Sequence, residues 1–140
     1  MEIRPLAETS AAAAVALWGA AGLTRPWNDA EGDFLRAVRG PDSAVLGVPG
    51  EDGALLATAM VGHDGHRGWV YYLAVAAGHR GQGLAGRLVR ACEDWVRARD
   101  ITKIQLMVRR DNESVVAFYE RLEYEPSDVV VLGKRFAADP

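Results

Sequence analysis

The sequence predicts a mixed α/β fold, in which a largely antiparallel sheet carries helices on both faces. Apolar residues recur at strand and helix spacings in the order strand, helix, helix, three strands, helix, strand, helix, strand. Of the 140 residues, 49% are hydrophobic and 25% are charged, which is typical of a globular protein. We therefore predict a single domain over residues 1–140.

The N-terminal part predicts one short strand and two helices. The strand covers residues 1–6, and apolar residues recur at helical spacing across residues 8–20. A loop follows in which Asn28 or Asp29 can cap the second helix. That helix runs to Gly40, where a Gly-Pro pair stops it.

Three consecutive strands are predicted next, at residues 43–48, 54–62 and 69–76. Turns rich in glycine and acidic residues separate them. The third strand is rich in aromatic and β-branched residues and has few polar ones. It therefore reads as a central strand that is covered on both faces.

The remaining chain predicts a helix, a strand, a helix and a last strand. The first helix starts at Leu84 and has its apolar residues on one face. The strand covers residues 103–108, and Asn112 can cap the next helix, whose apolar stripe ends at Leu122. Residues 129–136 supply the last strand.

Charge and cysteine content exclude several classes of function. The net charge of −3 argues against DNA or RNA as a partner, because binding to nucleic acid relies on clustered Lys and Arg. The lone Cys92 cannot form an internal disulfide, which fits a reducing compartment. The three histidines form no helical metal pair, and residues 11–17 are too short to span a bilayer. We therefore predict a cytoplasmic protein with no metal, nucleic acid or membrane partner.

A glycine-rich turn joins the predicted central strand to the next helix. Gly81 and Gly83 lack the Cβ atom that would block a ligand, so the amides of residues 81–85 can converge on an anion. The N-terminal end of the helix dipole adds to that attraction. These residues therefore predict a phosphate cradle, beside which Arg80 can neutralise charge.

The position of this cradle argues against two nucleotide-binding folds. A dinucleotide-binding fold has its Gly-x-Gly-x-x-Gly turn after the first strand, whereas this turn follows several strands. A P-loop needs Lys followed by Ser or Thr at the start of the helix, and Leu84-Ala85-Gly86 supplies neither.

Residues 80–85, Arg-Gly-Gln-Gly-Leu-Ala, resemble the Arg/Gln-x-x-Gly-x-Gly/Ala signature of GNAT-superfamily acetyltransferases. Residues 72–75 resemble the central strand of that family, and residues 111–122 resemble its second coenzyme-side helix. Three shorter segments are similar to the small YpeA-type acetyltransferases, namely residues 25–29, 64–68 and 132–135.

The resemblance implies a GNAT-like fold with a splayed central sheet, and an acetyl group taken from acetyl-CoA. The acceptor is then a primary amine of a small molecule or a peptide, and the protein is a monomer or homodimer. A non-catalytic acyl-CoA sensor is the alternative. By position in the family, the coenzyme contacts are Leu73, Ala74, Val75, Arg80, Gly81, Gln82, Gly83, Leu84, Ala85 and Asn112.

The same resemblance implies that Tyr119 is the general acid that protonates the departing thiolate. Periodicity by itself favours another role, because a tyrosine on an apolar helix face is most often part of the core. The role of Asn112 also has two alternatives, which are contact with the pantetheine arm and ordinary capping of the helix. A covalent intermediate is not expected, because Cys92 falls on a core-facing stripe.

His66 and Asp64 are the candidates for the general base. Histidine as a residue type has a pKa of about 6.5, which suits it to accept a proton from an ammonium group. Asp64 can orient His66 or replace it. The alternative is that residues 64–68 only form a turn between two strands.

Candidate acceptor-side residues come from two segments. The family places the loop of Trp27, Asn28 and Asp29 beside the acceptor, whereas packing and helix capping are the alternative roles. Tyr71 and Tyr72 are adjacent on a predicted strand and are expected to face opposite sides. At most one of them then lines the acceptor cleft, and Tyr71 is included among the candidate acceptor-binding residues.

The sequence departs from the family pattern at Glu123, where the family has glycine at the end of the helix. Glycine normally adopts the left-handed turn at such a position. Glu123 must therefore adopt that conformation at some cost, or the helix must end differently.

Overall fold

The computed structural model describes residues 1–137. The chain forms two compact units, Met1–Leu106 and Met107–Pro140. The first unit contains the sheet and three α-helices, and the second contains the fourth α-helix. Among the helices of residues 1–137, none combines the length and apolar character that crossing a bilayer requires.

The elements follow the predicted order up to the last helix. The strands are β1 Arg4–Pro5, β2 Ser43–Pro49, β3 Leu55–His63, β4 Gly68–Val75 and β5 Ile104–Gln105. The helices are α1 Ala11–Ala20, α2 Ala30–Arg39, α3 Leu84–Arg97 and α4 Glu113–Arg121. Short 3₁₀ turns at Glu8–Ser10 and Ala77–His79 precede α1 and α3.

The five strands form one sheet in the order β1-β2-β3-β4-β5. Neighbours are antiparallel except β4 and β5, which are parallel. The strand β5 pairs only with Gly68 and Trp69, at the beginning of β4. In the described part of the chain, residues 70–75 of β4 therefore have no strand partner on the β5 side. This opening is the splay that the family resemblance implies.

Each face of the sheet carries its own apolar cluster, which confirms the mixed α/β fold with helices on both faces. The α3-side cluster joins α3 to the sheet through Val48, Ala57, Val61, Leu84, Leu88, Cys92 and Val96. The α1/α2-side cluster joins the first two helices to the other face through Leu17, Trp18, Phe34, Ala37, Val45 and Ala74. The stripes of α2 and α3 point to the sheet, and their charged residues face outward.

The register between β3 and β4 shifts near the middle of β4. One residue of β3, Ala59, lies between paired positions where β4 has two, Tyr72 and Leu73. Tyr72 has a φ of +53°, a left-handed conformation that is uncommon for a bulky side chain. Such a bulge leaves one residue out of regular pairing and turns the strand.

The bulge also changes which face the side chains occupy. On a regular strand, residues two and four positions apart lie on the same face. Val70 belongs to the α3-side cluster, whereas Tyr72 and Ala74 pack in the α1/α2-side cluster. The exchange of faces therefore occurs between Val70 and Tyr72.

The predicted last strand at residues 129–136 is wrong, because the described residues of the second unit contain no strand. Val129, Val130, Val131, Leu132 and Phe136 are all exposed. Valine favours strands, but a strand also needs a neighbour to satisfy its backbone hydrogen bonds. The prediction for residues 103–108 was also too long, since β5 contains only Ile104 and Gln105.

The helix α4 ends with Glu123 in the left-handed conformation, which is the first of the two possibilities stated for this position. Glu123 adopts a φ of +71°. The backbone N–H of Tyr124 donates to the carbonyl of Tyr119 at 3.0 Å, and that of Glu123 donates to Glu120 at 3.0 Å. These bonds close the helix around the left-handed residue.

Candidate active site

The glycine turn between β4 and α3 forms an open cradle. Gly81 and Gly83 have φ values of +78° and +80°, and a Cβ atom built on either would meet nothing within 4 Å. Gly83 is the N-cap residue of α3, and no side chain hydrogen-bonds to this end of the helix. The first N–H groups of α3 therefore face an open space in which an anion can bind.

Two side chains precede the cradle in the chain, and Arg80 is the one that suits a phosphorylated ligand. Arg80 is exposed, and its Nε donates to the carbonyl of Val75 at 3.1 Å, which ties the guanidinium to the end of β4. The Nδ1 atom of His79 is buried and has no hydrogen-bond partner among the described residues. Arg80 therefore adds a fixed positive charge near the glycine turn.

A cavity of about 790 Å³ lies against the first two-thirds of β4, on the α1/α2 side of the sheet. It is bounded by α2, by the start of β2, and by β3 and β4. Its lining combines aromatic rings with carboxylates, and these residues are Trp69, Tyr71, Tyr72, Asp33, Asp42 and Asp64. This combination suits an organic cation.

The expectation that Tyr71 and Tyr72 face opposite sides is wrong, since both line this cavity. The bulge is the reason, because the left-handed backbone at Tyr72 breaks the alternation on which the expectation depended. The ring of Tyr71 stacks beside Trp69, with centroids 6.5 Å apart. The ring of Tyr72 stacks on Trp18 of α1, with centroids 3.9 Å apart.

The hydroxyl group of Tyr72 is held by α2. It donates to Asp33 Oδ2 at 2.8 Å, and the other oxygen of Asp33 accepts from Arg36 at 3.2 Å. Burial and the bond to Asp33 raise the pKa of Tyr72 well above its ordinary value. Tyr72 is therefore a neutral hydrogen-bond donor in this cavity and not a proton acceptor.

The candidate base residues lie in the turn between β3 and β4. Asp64 Oδ1 accepts the backbone N–H groups of Arg67 and His66, both at 2.8 Å. These two bonds hold the pKa of Asp64 below its ordinary value. Asp64 lines the cavity, whereas His66 is exposed and is not part of the lining. The carboxylate therefore closes the turn in addition to facing the cavity.

The three acceptor-side residues of the second loop have different positions. Asp29 caps α2, because its Oδ1 accepts the N–H of Gly32 at 3.0 Å. Asn28 lines the cavity, whereas its lining includes neither Trp27 nor Asp29. The side chain of Trp27 is exposed. Only Asn28 and Tyr71 of the four predicted acceptor residues therefore border this space.

Asn112 and Tyr119 both belong to the second unit. Asn112 occupies the N-cap position of α4 without a side-chain bond to the helix backbone, and its Oδ1 accepts from Ser114 at 3.4 Å. Tyr119 is buried, and its ring meets Tyr124 edge to face with centroids 5.5 Å apart. The amide of Asn112 is therefore not engaged in capping.

The cysteine is unsuited to nucleophilic catalysis. Cys92 is fully buried in the α3-side cluster. Burial, with a smaller contribution from Glu93, raises the pKa of its thiol to about 12. A neutral, inaccessible thiol does not attack a thioester, in agreement with the core position that the sequence predicts.

Sequence reasoning missed several residues that shape the cavity. Asp33 holds Tyr72, and His63 Nε2 lies 3.5 Å from Asp42 Oδ1. The Nδ1 atom of His63 accepts the N–H of Gly65 at 3.0 Å. Helix periodicity identifies Asp33 only as a polar position of α2. The one sequence feature that could have drawn attention to Asp33 is its place in the first turn of that helix. Nothing in the sequence joins Asp42 to His63.

Comparisons with known proteins identify the family. Residues 12–124 match the model of the acetyltransferase (GNAT) family. An acetyltransferase of Pectobacterium atrosepticum is 42% identical over 139 residues, which cover 99% of this chain and 98% of that protein. Relatives of similar length occur in Yersinia, including one of Yersinia enterocolitica that is 40% identical over 139 residues.

Solved structures share the fold. The structure of AAC(6')-Iy, in complex with a bisubstrate analog named CoA-S-monomethyl-acetylneamine, has a TM-score of 0.80 at 16% identity. The alignment covers 97% of this chain and 98% of that one. The chain belongs to the acetyltransferase (GNAT) family and is an N-acetyltransferase.

Proposed function

We propose that this protein transfers the acetyl group of acetyl-CoA directly to a primary amine, carried by a small molecule or a peptide, with both substrates bound together. The open glycine cradle at the start of α3 carries this proposal. The cavity on the α1/α2 side supplies a separate space for the acceptor. The chain acts as one acetyltransferase domain in this proposal, since the family match includes parts of both units.

The residues at the cradle fit the diphosphate of acetyl-CoA. The backbone N–H groups of residues 81–85 are donors that the main chain holds in place, and the helix dipole favours negative charge at this end of α3. Arg80 adds a positive charge beside them. In this arrangement Arg80, Gly81, Gln82, Gly83, Leu84 and Ala85 hold the diphosphate, and Asn112 contacts the pantetheine arm.

The splayed part of β4 fits the rest of the donor. Residues 73–75 lie where β5 no longer pairs with β4, so their backbone groups can bond an extended pantetheine arm. A backbone N–H in this segment then polarises the acetyl carbonyl. Fixed main-chain donors need no reorganisation when charge develops on that oxygen.

The acceptor in this proposal is cationic before it loses its proton. The cavity is lined by aromatic rings and by the carboxylates of Asp33, Asp42 and Asp64. Arg36 also lines it and forms an ion pair with Asp33. Aromatic faces and carboxylates both favour ammonium groups. Tyr71 and Asn28 contact the acceptor in this arrangement, and Trp27 and Asp29 shape the loop beside them.

Proton transfer is assigned to three side chains. Tyr119 gives its proton to the departing thiolate, as the family resemblance implies. Asp64 and His66, in the turn beside the cavity, remove the proton from the ammonium group. The pKa of Asp64 is lowered by its two backbone bonds, so in this assignment His66 accepts the proton and Asp64 acts on it through the turn.

We expect Gly83→Ala to weaken acetyl-CoA binding at least about tenfold, because a side chain strains the left-handed backbone and projects into the anion site. Isothermal titration calorimetry measures the dissociation constant. The control is Gly53→Ala in the β2–β3 turn, which has a φ of +84° and equally open surroundings. It carries the same backbone strain, so an equal loss of binding in both variants would contradict the cradle.

We expect thiol release from acetyl-CoA with at least one primary amine, and a product heavier by one acetyl group. Tyr119→Phe keeps the ring contact with Tyr124 and removes the hydroxyl, so kcat should fall about a hundredfold while acetyl-CoA still binds. Mass spectrometry and a thiol assay with a panel of amines measure both. Tight binding without thiol release for any amine would indicate a sensor, and unchanged kcat in Tyr119→Phe would remove the general acid.

We expect the dependence of kcat/KM on pH to shift in His66→Ala or in Asp64→Asn, because each variant changes proton removal from the acceptor. The matched control is Asp52→Asn, which removes a turn-closing carboxylate between β2 and β3, where Asp52 accepts the N–H of Ala54 at 3.1 Å. If both test variants keep the native profile, the base does not lie in the turn at residues 64–67.

A further inference from the structure

Thr58 carries a buried hydroxyl group at the point where β3 meets the bulge of β4. Its side chain is fully buried, and its Oγ1 lies 2.8 Å from Trp18 Nε1 and 3.1 Å from the carbonyl oxygen of Tyr72. An indole N–H can only donate, and a carbonyl oxygen can only accept. The hydroxyl therefore accepts from Trp18 and donates to Tyr72, and no other orientation satisfies both partners.

Packing does not require this hydroxyl. A valine side chain has nearly the same shape, and a buried hydroxyl costs free energy unless it is fully hydrogen-bonded. Trp18 is itself fully buried in α1, forty residues away from Thr58 in the chain. The two polar groups satisfy each other and leave one proton, which Thr58 directs at the backbone of Tyr72.

Tyr72 is held in its unusual conformation from three directions. The hydroxyl of Thr58 binds its carbonyl, the ring of Trp18 stacks on its ring, and Asp33 accepts its phenolic proton. A left-handed residue with a bulky side chain is strained and persists only where its surroundings fix it. These contacts therefore determine the direction of the peptide that follows.

The peptide between Tyr72 and Leu73 is trans, because the described residues contain no cis bond. In a trans peptide the C=O and N–H groups point in opposite directions. Since the carbonyl of Tyr72 points to Thr58, the N–H of Leu73 points away from Thr58. Leu73 also lies beyond the last residue of β4 that β5 pairs.

We propose that Thr58 is a positioning residue for acetyl transfer. Its hydroxyl, fixed by Trp18, orients the Tyr72–Leu73 peptide so that the N–H of Leu73 donates to the acetyl carbonyl oxygen. This inference rests on the proposed function, and it names the donor and the residue that aims it. The run of bonds from Trp18 through Thr58 to the Tyr72 carbonyl also polarises the peptide, which makes its N–H a stronger donor.

The first experiment compares Thr58→Val with Thr58→Ser. Thr58→Val removes the hydroxyl and keeps the shape, so kcat should fall about ten- to a hundredfold, as a misplaced group does. The dissociation constant of acetyl-CoA, measured by calorimetry, should change less than about threefold, because the diphosphate cradle is intact. Thr58→Ser keeps the hydroxyl and should retain most of the native kcat.

A stability control separates positioning from general loosening. Val48→Ala removes buried side-chain volume in the α3-side cluster, from β2, which pairs with β3 and not with β4. Denaturant unfolding measures the free-energy loss of each variant. A kcat loss in Thr58→Val no larger than that in Val48→Ala would overturn the positioning role.

The second experiment needs no variant and therefore holds even if Thr58→Val does not fold. In ¹⁵N-labelled native protein, the Leu73 amide resonance should shift further with acetyl-CoA than with CoA, which lacks the acetyl carbonyl. Equal shifts with both compounds would overturn the proposal. Failure of the native protein to acetylate any amine would instead overturn the proposed function, whereas native activity with an unaffected Thr58→Val would overturn only the role of Thr58.

Discussion

The left-handed backbone of Tyr72 is the constraint on which the site in the first unit depends. One residue of β3 stands opposite two residues of β4 at this point, and side chains exchange faces across it. A regular strand would place Tyr71 and Tyr72 on opposite sides of the sheet. The bulge instead brings both rings to the cavity on the α1/α2 side, and it leaves the Tyr72 carbonyl bonded to Thr58 of β3 with the N–H of Leu73 pointing away.

The same region of β4 loses its second strand neighbour. Because β5 pairs only with Gly68 and Trp69, the later residues of β4 have backbone groups available on that side within the described chain. The strand then runs through a 3₁₀ turn into the glycine cradle and α3. A single continuous segment, residues 68–85, thus contains in succession the aromatic residues of the cavity, the backbone groups that β5 leaves unpaired and the open glycine turn.

Local sequence patterns were sufficient for the order of elements as far as α4, for the glycine turn before α3 and for the core position of Cys92, because each depends on neighbours in the chain. The bulge could not be foreseen, since the alternation rule assumes an extended backbone at every position. The bonds of Thr58 with Trp18 and of Tyr72 with Asp33 join residues 40 and 39 positions apart. Residues 129–136 have strand propensity, but propensity does not supply a pairing partner.

A crystal structure with a non-transferable acetyl-CoA analogue tests the central claim most directly. We expect the carbonyl oxygen of the acyl group about 3 Å from the backbone nitrogen of Leu73, with Tyr72 still left-handed and the diphosphate against the amides of residues 81–85. An acyl carbonyl bound to a different donor, or a Tyr72 that becomes extended and pairs regularly with β3, would contradict this account.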